Sequence, residues 1–334
     1  MVLRTGHAQS RNRRSNSGPV GESAVSIARQ DFAIQGNGRV LSVFTVTGRQ
    51  TGPTVALVGG IHGDEMEGPL VLSGILTEID FDRLAGTLLV VPVANAEAVA
   101  AYTRCSPSDG LNLARCFPGD TAGSATQQVA ALITEHAISR ANYLVDLHSG
   151  GIGLDAAFFA GYTSSDGMLG QRSRDMALAF GAPVVWRHDP PLPPGRTLSA
   201  AEALGIPAIY VEAGGGTYPP AAILDGYRAG VLRVLHHLKM YDAPQPEMAL
   251  PLRVEGSGDL DNALAAPVTG ICTCHIEPLQ QVEPGTLCFT IADLDGTSLG
   301  TVHSTTSGYA MFTRRNRWVE QGELLMAIAQ PDRS

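Results

Sequence analysis

Val55-Ala56-Leu57-Val58-Gly59-Gly60-Ile61-His62-Gly63-Asp64-Glu65-Met66-Glu67-Gly68-Pro69 is the stretch from which the fold can be read. An apolar run of strand type ends in two glycines, a His-x-x-Glu pair follows, and a helical apolar pattern begins at Leu70. Open α/β sheets bind their ligands at the carboxyl ends of such strands. The glycines let the backbone crowd a bound ion or substrate. His62 and Glu65 then present one nitrogen and one oxygen to the same place, which suits a zinc site that keeps a position open for water.

Two later strand ends repeat the design. Tyr143-Leu144-Val145-Asp146-Leu147-His148-Ser149-Gly150-Gly151 supplies a second imidazole, and two histidines with one carboxylate form the ligand set of hydrolytic zinc sites. Asp146, two residues before His148, shares its side of the strand and is placed to orient the imidazole. Ala208-Ile209-Tyr210-Val211-Glu212-Ala213-Gly214-Gly215-Gly216 ends a third apolar strand in an acid. A glutamate is costly there unless the site uses it.

The His62/Glu65 pair, the Asp-Leu-His148-Ser-Gly strand, the Arg115-Cys-Phe-Pro-Gly119 segment and the Glu212-Ala-Gly-Gly strand end, in this order, resemble the succinylglutamate desuccinylase/aspartoacylase family. The resemblance spans about residues 40 to 330. It implies a zinc-dependent deacylase related in fold to the zinc carboxypeptidases, with one zinc per chain on His62, Glu65 and His148 and Glu212 as the general base. It also implies an arginine that polarises the scissile carbonyl and an Asn-Arg pair that holds the substrate carboxylate. Arg104 and Arg115 match those positions. The chain departs from the family at Ala114, where aspartoacylases carry asparagine; Asn112, two residues upstream, is the expected substitute.

The residues around Arg104 support a working loop. Tyr102 to Thr121 sets Arg104, Asn112 and Arg115 among Gly, Ser, Pro and Asp, and arginine's planar fork grips carboxylates or polarises carbonyls. The loop Arg187 to Arg196, with Pro190, Pro191, Pro193 and Pro194, is placed to overhang the site. His188 in that loop is read as a solvated residue, Tyr218 as a packed loop tyrosine, and His236-His237 as cations suited to a helix C-terminus.

Strands alternating with helical patterns over Leu70 to Ile79, Gln127 to Ile138, Gly170 to Phe180 and Ala221 to Met240 indicate a doubly wound mixed sheet, here of zinc-carboxypeptidase type. A hairpin is expected from Ala33 to Val46, turning at Gly36-Asn37-Gly38. Residues 1–22 carry Arg4, Arg11, Arg13 and Arg14 with no acid before Glu22 and read as a disordered basic tail. The catalytic domain is assigned to 23–241. Past a Pro- and Glu-containing linker, Asp242 to Met248, Val282-Glu283-Pro284-Gly285 reappears as Val319-Glu320-Gln321-Gly322, and Ile291-Ala292 as Ile328-Ala329. The repeat predicts a small pseudo-symmetric β-barrel over 249–330 that resembles biotinyl/lipoyl-type barrels. The only lysine of the chain, Lys239, precedes the linker, so this barrel is no swinging-arm carrier. A structural cap, an oligomer contact or a wall that narrows the entrance remain as its roles.

Composition narrows the function further. The 334 residues carry a formal charge of −9 and a pI near 5.4, which argues against nucleic acid or an anionic membrane as partner. No run reaches the ~18 apolar residues of a membrane span. Five cysteines, an odd set in a chain of this size, fit a reducing cytoplasm. Cys272, Cys274 and His275 lack the second cysteine pair that a structural zinc site needs. With one lysine at a helix end, no Gly-x-x-x-x-Gly-Lys loop and Ser149 outside a Gly-x-Ser-x-Gly elbow, Schiff-base, P-loop and serine-hydrolase chemistries are disfavoured. The expectation is a zinc amidohydrolase, self-associating, that cleaves a small N-acyl amino acid. Its rivals are a zinc carboxypeptidase acting on short peptides and a non-catalytic binding protein on the same scaffold.

Overall fold

The structure, a computed structural model, describes residues 25–242, 247–260 and 263–333. The tail assigned to residues 1–22 lies outside them. In chain order the first part contains β1 (Ser26–Ala33), β2 (Val40–Thr47), β3 (Gln50–Gly59), α1 (Glu67–Glu78), β4 (Ala85–Val91), α2 (Ala96–Ala101), α3 (Ala125–His136), β5 (Tyr143–Leu147), β6 (Leu154–Thr163), α4 (Gly167–Phe180), β7 (Val184–His188), α5 (Thr197–Ala203), β8 (Ala208–Gly214) and α6 (Ala221–His237). After the linker come β9 (Leu252–Glu255), β10 (Leu264–Ala265), β11 (Gly270–Cys274), β12 (Gln281–Val282), β13 (Leu287–Ala292), β14 (Ser298–His303), β15 (Gly308–Arg314), β16 (Arg317–Val319) and β17 (Leu324–Pro331).

The main sheet runs β1-β2-β4-β3-β5-β8-β6-β7-β9-β17-β15-β12. Its centre, β4-β3-β5-β8, is parallel, with antiparallel β2 and β6 on either side. These central strands are apolar on both faces because helices cover both. Val55 and Leu57 of β3 pack with α1, α4 and α6, whereas Ala56 and Val58 pack with α3 and α5. The alternation of side chains along a strand thus feeds two separate cores. Helix α1 begins at Glu67, ahead of the expected Leu70, and Pro69 sits in its first turn, where proline gives up no helical hydrogen bond.

β6 was not anticipated from the sequence, and it joins the two parts of the chain. It pairs with β8 along one edge and with β7 and, nearer its start, β15 along the other, in the register Phe312↔Ala156. Because β7 pairs with β9, β9 with β17 and β17 with β15, five strands close into a barrel. Two of the five, β6 and β7, precede the linker. Phe159, Trp186, Val254, Phe312 and Ala329 fill its interior, with the Phe159 ring edge-on to Trp186 at 5.1 Å and to Phe312 at 5.7 Å.

The remaining C-terminal strands form a second sheet, β14-β13-β11-β16, over a core containing Cys272, Phe289, Ile291, Val319 and Met326. The internal repeat is visible as structure. Val282 and Val319 are both buried, and the glycines that follow, Gly285 and Gly322, both have positive φ, 92° and 87°. The matching turns are closed by Thr286 N–H to Glu283 O at 2.9 Å and by Glu323 N–H to Glu320 O at 3.0 Å.

Candidate metal centre and substrate cavity

The loop carrying His62 and Glu65 is set by contacts that only glycine allows. Gly60 takes φ 67° to leave β3. A Cβ on Gly63 would lie 1.9 Å from the Ala98 carbonyl carbon, and one on Gly68 would lie 2.7 Å from the Leu147 carbonyl oxygen. The loop is therefore pressed between α2 and β5, and His62 and Glu65 point across β3 and β5 towards His148.

All three side chains are buried. His62 Nδ1 lies 2.7 Å from Glu65 Oε1, and His148 Nδ1 lies 2.9 Å from Glu65 Oε2. The far nitrogens meet acceptors: His62 Nε2 is 3.0 Å from Asn112 Oδ1, and His148 Nε2 is 3.0 Å from Asp146 Oδ2. Asn112 Oδ1 also accepts from Ala114 N–H at 2.9 Å, which fixes the orientation of the amide. Each Nε2 thus donates its proton, and each Nδ1 turns a lone pair towards a carboxylate. Lone pairs and a carboxylate at these distances repel unless a cation or protons lie between them. The donor atoms of His62, Glu65 and His148 fall within 4.8 Å of one another, so the group could hold a metal ion.

Charges around the group favour a positive charge, a proton or a cation, between these atoms. Burial alone would raise the Glu65 pKa, but the two imidazoles outweigh it and hold the carboxyl well below its ordinary value. Burial would lower that of His148, yet Asp146 and Glu65 together push it well above the usual histidine value. His62 is lowered by burial and by the Arg104 charge. Arg104 Nη1 donates to Glu65 Oε1 at 3.0 Å, Ser149 N–H donates to Glu65 Oε2 at 3.1 Å, and Tyr227 O–H donates to the His148 carbonyl at 2.6 Å. Behind His148, the Thr197 hydroxyl donates to the same Asp146 oxygen that takes the imidazole proton.

Glu212, on β8, is 8 % exposed, and its Oε2 has no hydrogen-bond partner among the described residues. Burial, followed by the nearby Glu65 charge, pushes its pKa well above the ordinary carboxyl value. A bound divalent cation would act in the opposite sense. An orphaned carboxylate oxygen beside two imidazole lone pairs is what a metal site with a general base requires.

His62, His148 and Glu212 line one cavity of about 90 Å³ together with Arg104 and Arg115. Leu192, Pro193 and Arg196 of the proline-rich loop form one wall, so that loop does overhang the site. It is fastened to the Arg115 loop by Phe117 N–H to Gly195 O at 3.1 Å. Ala114 lines the cavity, and Arg115 Nη1 donates to the Ala114 carbonyl at 3.1 Å. A second wall, Ser257, Gly258, Leu260 and Phe312, comes from beyond the linker.

Two sequence readings are corrected. His188 is not a solvated loop residue: it ends β7, is 2 % exposed and lines the cavity, because the chain after β9 folds over it. Tyr218 is not packed but 86 % exposed. His236 and His237 lie in the last turn of α6, as expected. Cys272 is buried in the second core, and all five cysteines are free thiols. The cavity residues that were missed include Thr197, Tyr210 and the wall from beyond the linker. Tyr210 was legible, since it shares Glu212's face of β8 at the i−2 position.

The strand ends of a mixed α/β sheet thus gather, around a small cavity, a His-Glu-His group that could hold a metal ion and a buried acid with one unpartnered oxygen. A family model for the succinylglutamate desuccinylase/aspartoacylase catalytic domain matches residues 51–238, and the chain belongs to that family. The N-alpha-acetyl-L-2,4-diaminobutyric acid deacetylase of Halomonas elongata is 34% identical over 247 residues, which cover 70% of this chain and 72% of that protein. The crystal structure of a succinylglutamate desuccinylase/aspartoacylase from Rhodobacter sphaeroides has 26% identity and a TM-score of 0.80, covering 94% of this chain and 96% of that one. The product-bound ectoine utilization protein EutE (DoeB) of Ruegeria pomeroyi shares the fold, with a TM-score of 0.83 at 24% identity, over 95% and 98% of the two chains. The deacylase class follows from the family and the Halomonas relative.

Proposed function

We propose that the protein is a zinc-dependent amidohydrolase that removes the acyl group from a small N-acyl amino acid. The observation that carries this reading is the pair of Nδ1 lone pairs turned onto Glu65 beside the unpaired Glu212 carboxylate. Zinc held by His62, Glu65 and His148 would acidify water and polarise the scissile carbonyl.

The chain's own residues supply the rest. Glu212 Oε2, with no other partner, takes the proton of the attacking water and passes it to the leaving amine. Arg104 is already aimed at the centre through Glu65, and it stabilises the developing oxyanion, a role typically worth ~3 kcal/mol. Arg115 anchors a substrate carboxylate through its planar fork. Asn112 holds His62 with its oxygen, leaving its amide nitrogen as the donor that stands in for the residue replaced by Ala114. The relative from Halomonas points to an N-acetylated diamino acid as a first substrate to try.

Residues 23–241 carry the chemistry in this reading, and residues 249–330 wall the cavity and select substrates by size. Those C-terminal residues speak against the carboxypeptidase alternative, since Leu260 and Phe312 add a wall to a cavity of about 90 Å³, small for a peptide. A cytoplasmic, self-associating protein with no nucleic-acid or membrane partner remains our reading of the composition. Among the described residues no helix is long and apolar enough to cross a membrane. The test is metal analysis together with acetate release from N-acetyl amino acids beside C-terminal peptides. Stoichiometric zinc and amide cleavage of the small substrates support the proposal; preferential loss of C-terminal residues from peptides, or no zinc, overturns it.

A further inference from the structure

We propose that Tyr210 makes this site selective for N-acyl amino acids whose side chain ends in a hydrogen-bond donor, an ammonium or a carboxamide, over those ending in a carboxylate. The inference rests on the amidohydrolase reading and deepens it. It begins at Gly256, whose carbonyl can only accept. His188 Nδ1 lies 2.8 Å from that oxygen, so Nδ1 carries the ring proton. Burial holds the imidazole neutral by lowering its pKa to about 4. His188 Nε2 is then an acceptor, and it lies 2.9 Å from the Tyr210 hydroxyl, which must donate to it. With its proton committed, the Tyr210 oxygen has only a lone pair left for anything else in the cavity that it lines.

The ring that imposes this polarity cannot easily turn. A Cβ on Gly258 would lie 2.4 Å from His188 Cε1, so backbone presses on one side of the imidazole, and Trp186 lies against it with centroids 4.9 Å apart. Reversal would also leave the Gly256 carbonyl facing a lone pair. The cation nearest Tyr210 in the cavity wall, Arg196, does not undo the preference, because Asp259 Oδ1 receives its Nη2 at 2.8 Å and both side chains are less than one-fifth exposed. Arg115 remains for the substrate's own α-carboxylate, so the two ends of the ligand are told apart by opposite hydrogen-bonding chemistry.

The test compares N-acetyl-L-glutamine with N-acetyl-L-glutamate, which differ by one terminal group, on the zinc-loaded protein and on Tyr210→Phe. The parent is expected to favour the glutamine compound in kcat/KM by ~10-fold or more, as a buried acceptor facing a carboxylate predicts. In Tyr210→Phe that ratio falls towards one, while the melting temperature reports whether the variant is folded. A parental ratio near or below one overturns the proposal whatever the variant does, and so does a ratio unchanged in folded Tyr210→Phe. If neither compound is hydrolysed, the amidohydrolase reading fails instead. Calorimetric affinities of the same two compounds then decide the selectivity by the same ratio, and no binding of either overturns it.

Discussion

Replacing Asp146 with Asn isolates the charge behind His148 from its geometry. Asp146 is 1 % exposed; its Oδ2 takes the His148 Nε2 proton at 3.0 Å and the Thr197 hydroxyl, and its Oδ1 has no partner among the described residues. An asparagine can turn its oxygen to both donors and put its amide where the unpartnered oxygen stands, so Asp146→Asn keeps both hydrogen bonds and removes only the negative charge. Losing such a carboxylate partner of a ligating histidine typically weakens metal binding ~10–100-fold, which is ~1.4–2.7 kcal/mol. Water screens little at a group this buried, so the effect should fall in the upper half of that range. Zinc affinity measured by competition with a chromophoric chelator reads it directly. Thr197→Val, which removes one of the two donors and leaves the charge, should lose less. Zinc affinity in Asp146→Asn within about twofold of the parent would show that packing alone orients His148 and would refute the reasoning.

Three further outcomes are expected. Arg115→Ala should raise KM for N-acyl amino acids ~10-fold or more with a smaller change in kcat, and Arg115→Lys should restore only part of it; an unchanged KM removes Arg115 from the cavity's chemistry. His188, with a folded pKa of about 4 against 6.5 in the unfolded chain, gives the native state its full share of stability above 6.5. That share is lost as pH falls from there towards 4, by at most ~3 kcal/mol. Urea unfolding across that interval should therefore steepen with acid in the parent and less so in His188→Gln, and equal slopes would contradict the assignment. Removing residues from 249 onward strips β9 and β15 from β7 and β6 and uncovers Phe159 and Trp186, so the truncated chain should lose cooperative melting; a cooperative, zinc-binding fragment would show the first part to be independent.

How much of this was legible in the sequence follows from where the signals lie. β3, β5 and β8 announce themselves because each is an apolar run that ends in glycine beside a polar ligand-type residue, and the structure brings His62, His148 and Glu212 to one cavity, with Glu65 held between the two imidazoles. β6 escaped because Leu154–Thr163 has no polar alternation: both faces are buried, one against helices and one inside the barrel, and no motif marks its end. The wall formed by Ser257, Gly258 and Phe312 has no local signature, since its meaning depends on a sheet that closes across the linker. His188 was misjudged for a related reason. The prolines after it suggest a surface loop, while the glycines that cover it come from about seventy positions later in the chain.

The central claim, that Glu212 moves the proton in a metal-assisted amide hydrolysis, is tested most directly by kcat of zinc-loaded Glu212→Gln on the best N-acetyl amino acid substrate. The substitution keeps the shape of the side chain and removes the base. The account predicts parental zinc content and substrate affinity with kcat lowered ~100-fold or more. A folded, zinc-loaded Glu212→Gln that turns over at near-parental kcat would contradict it and would send the search for the base to Glu67, the buried carboxyl beside the ligand loop whose pKa burial likewise raises.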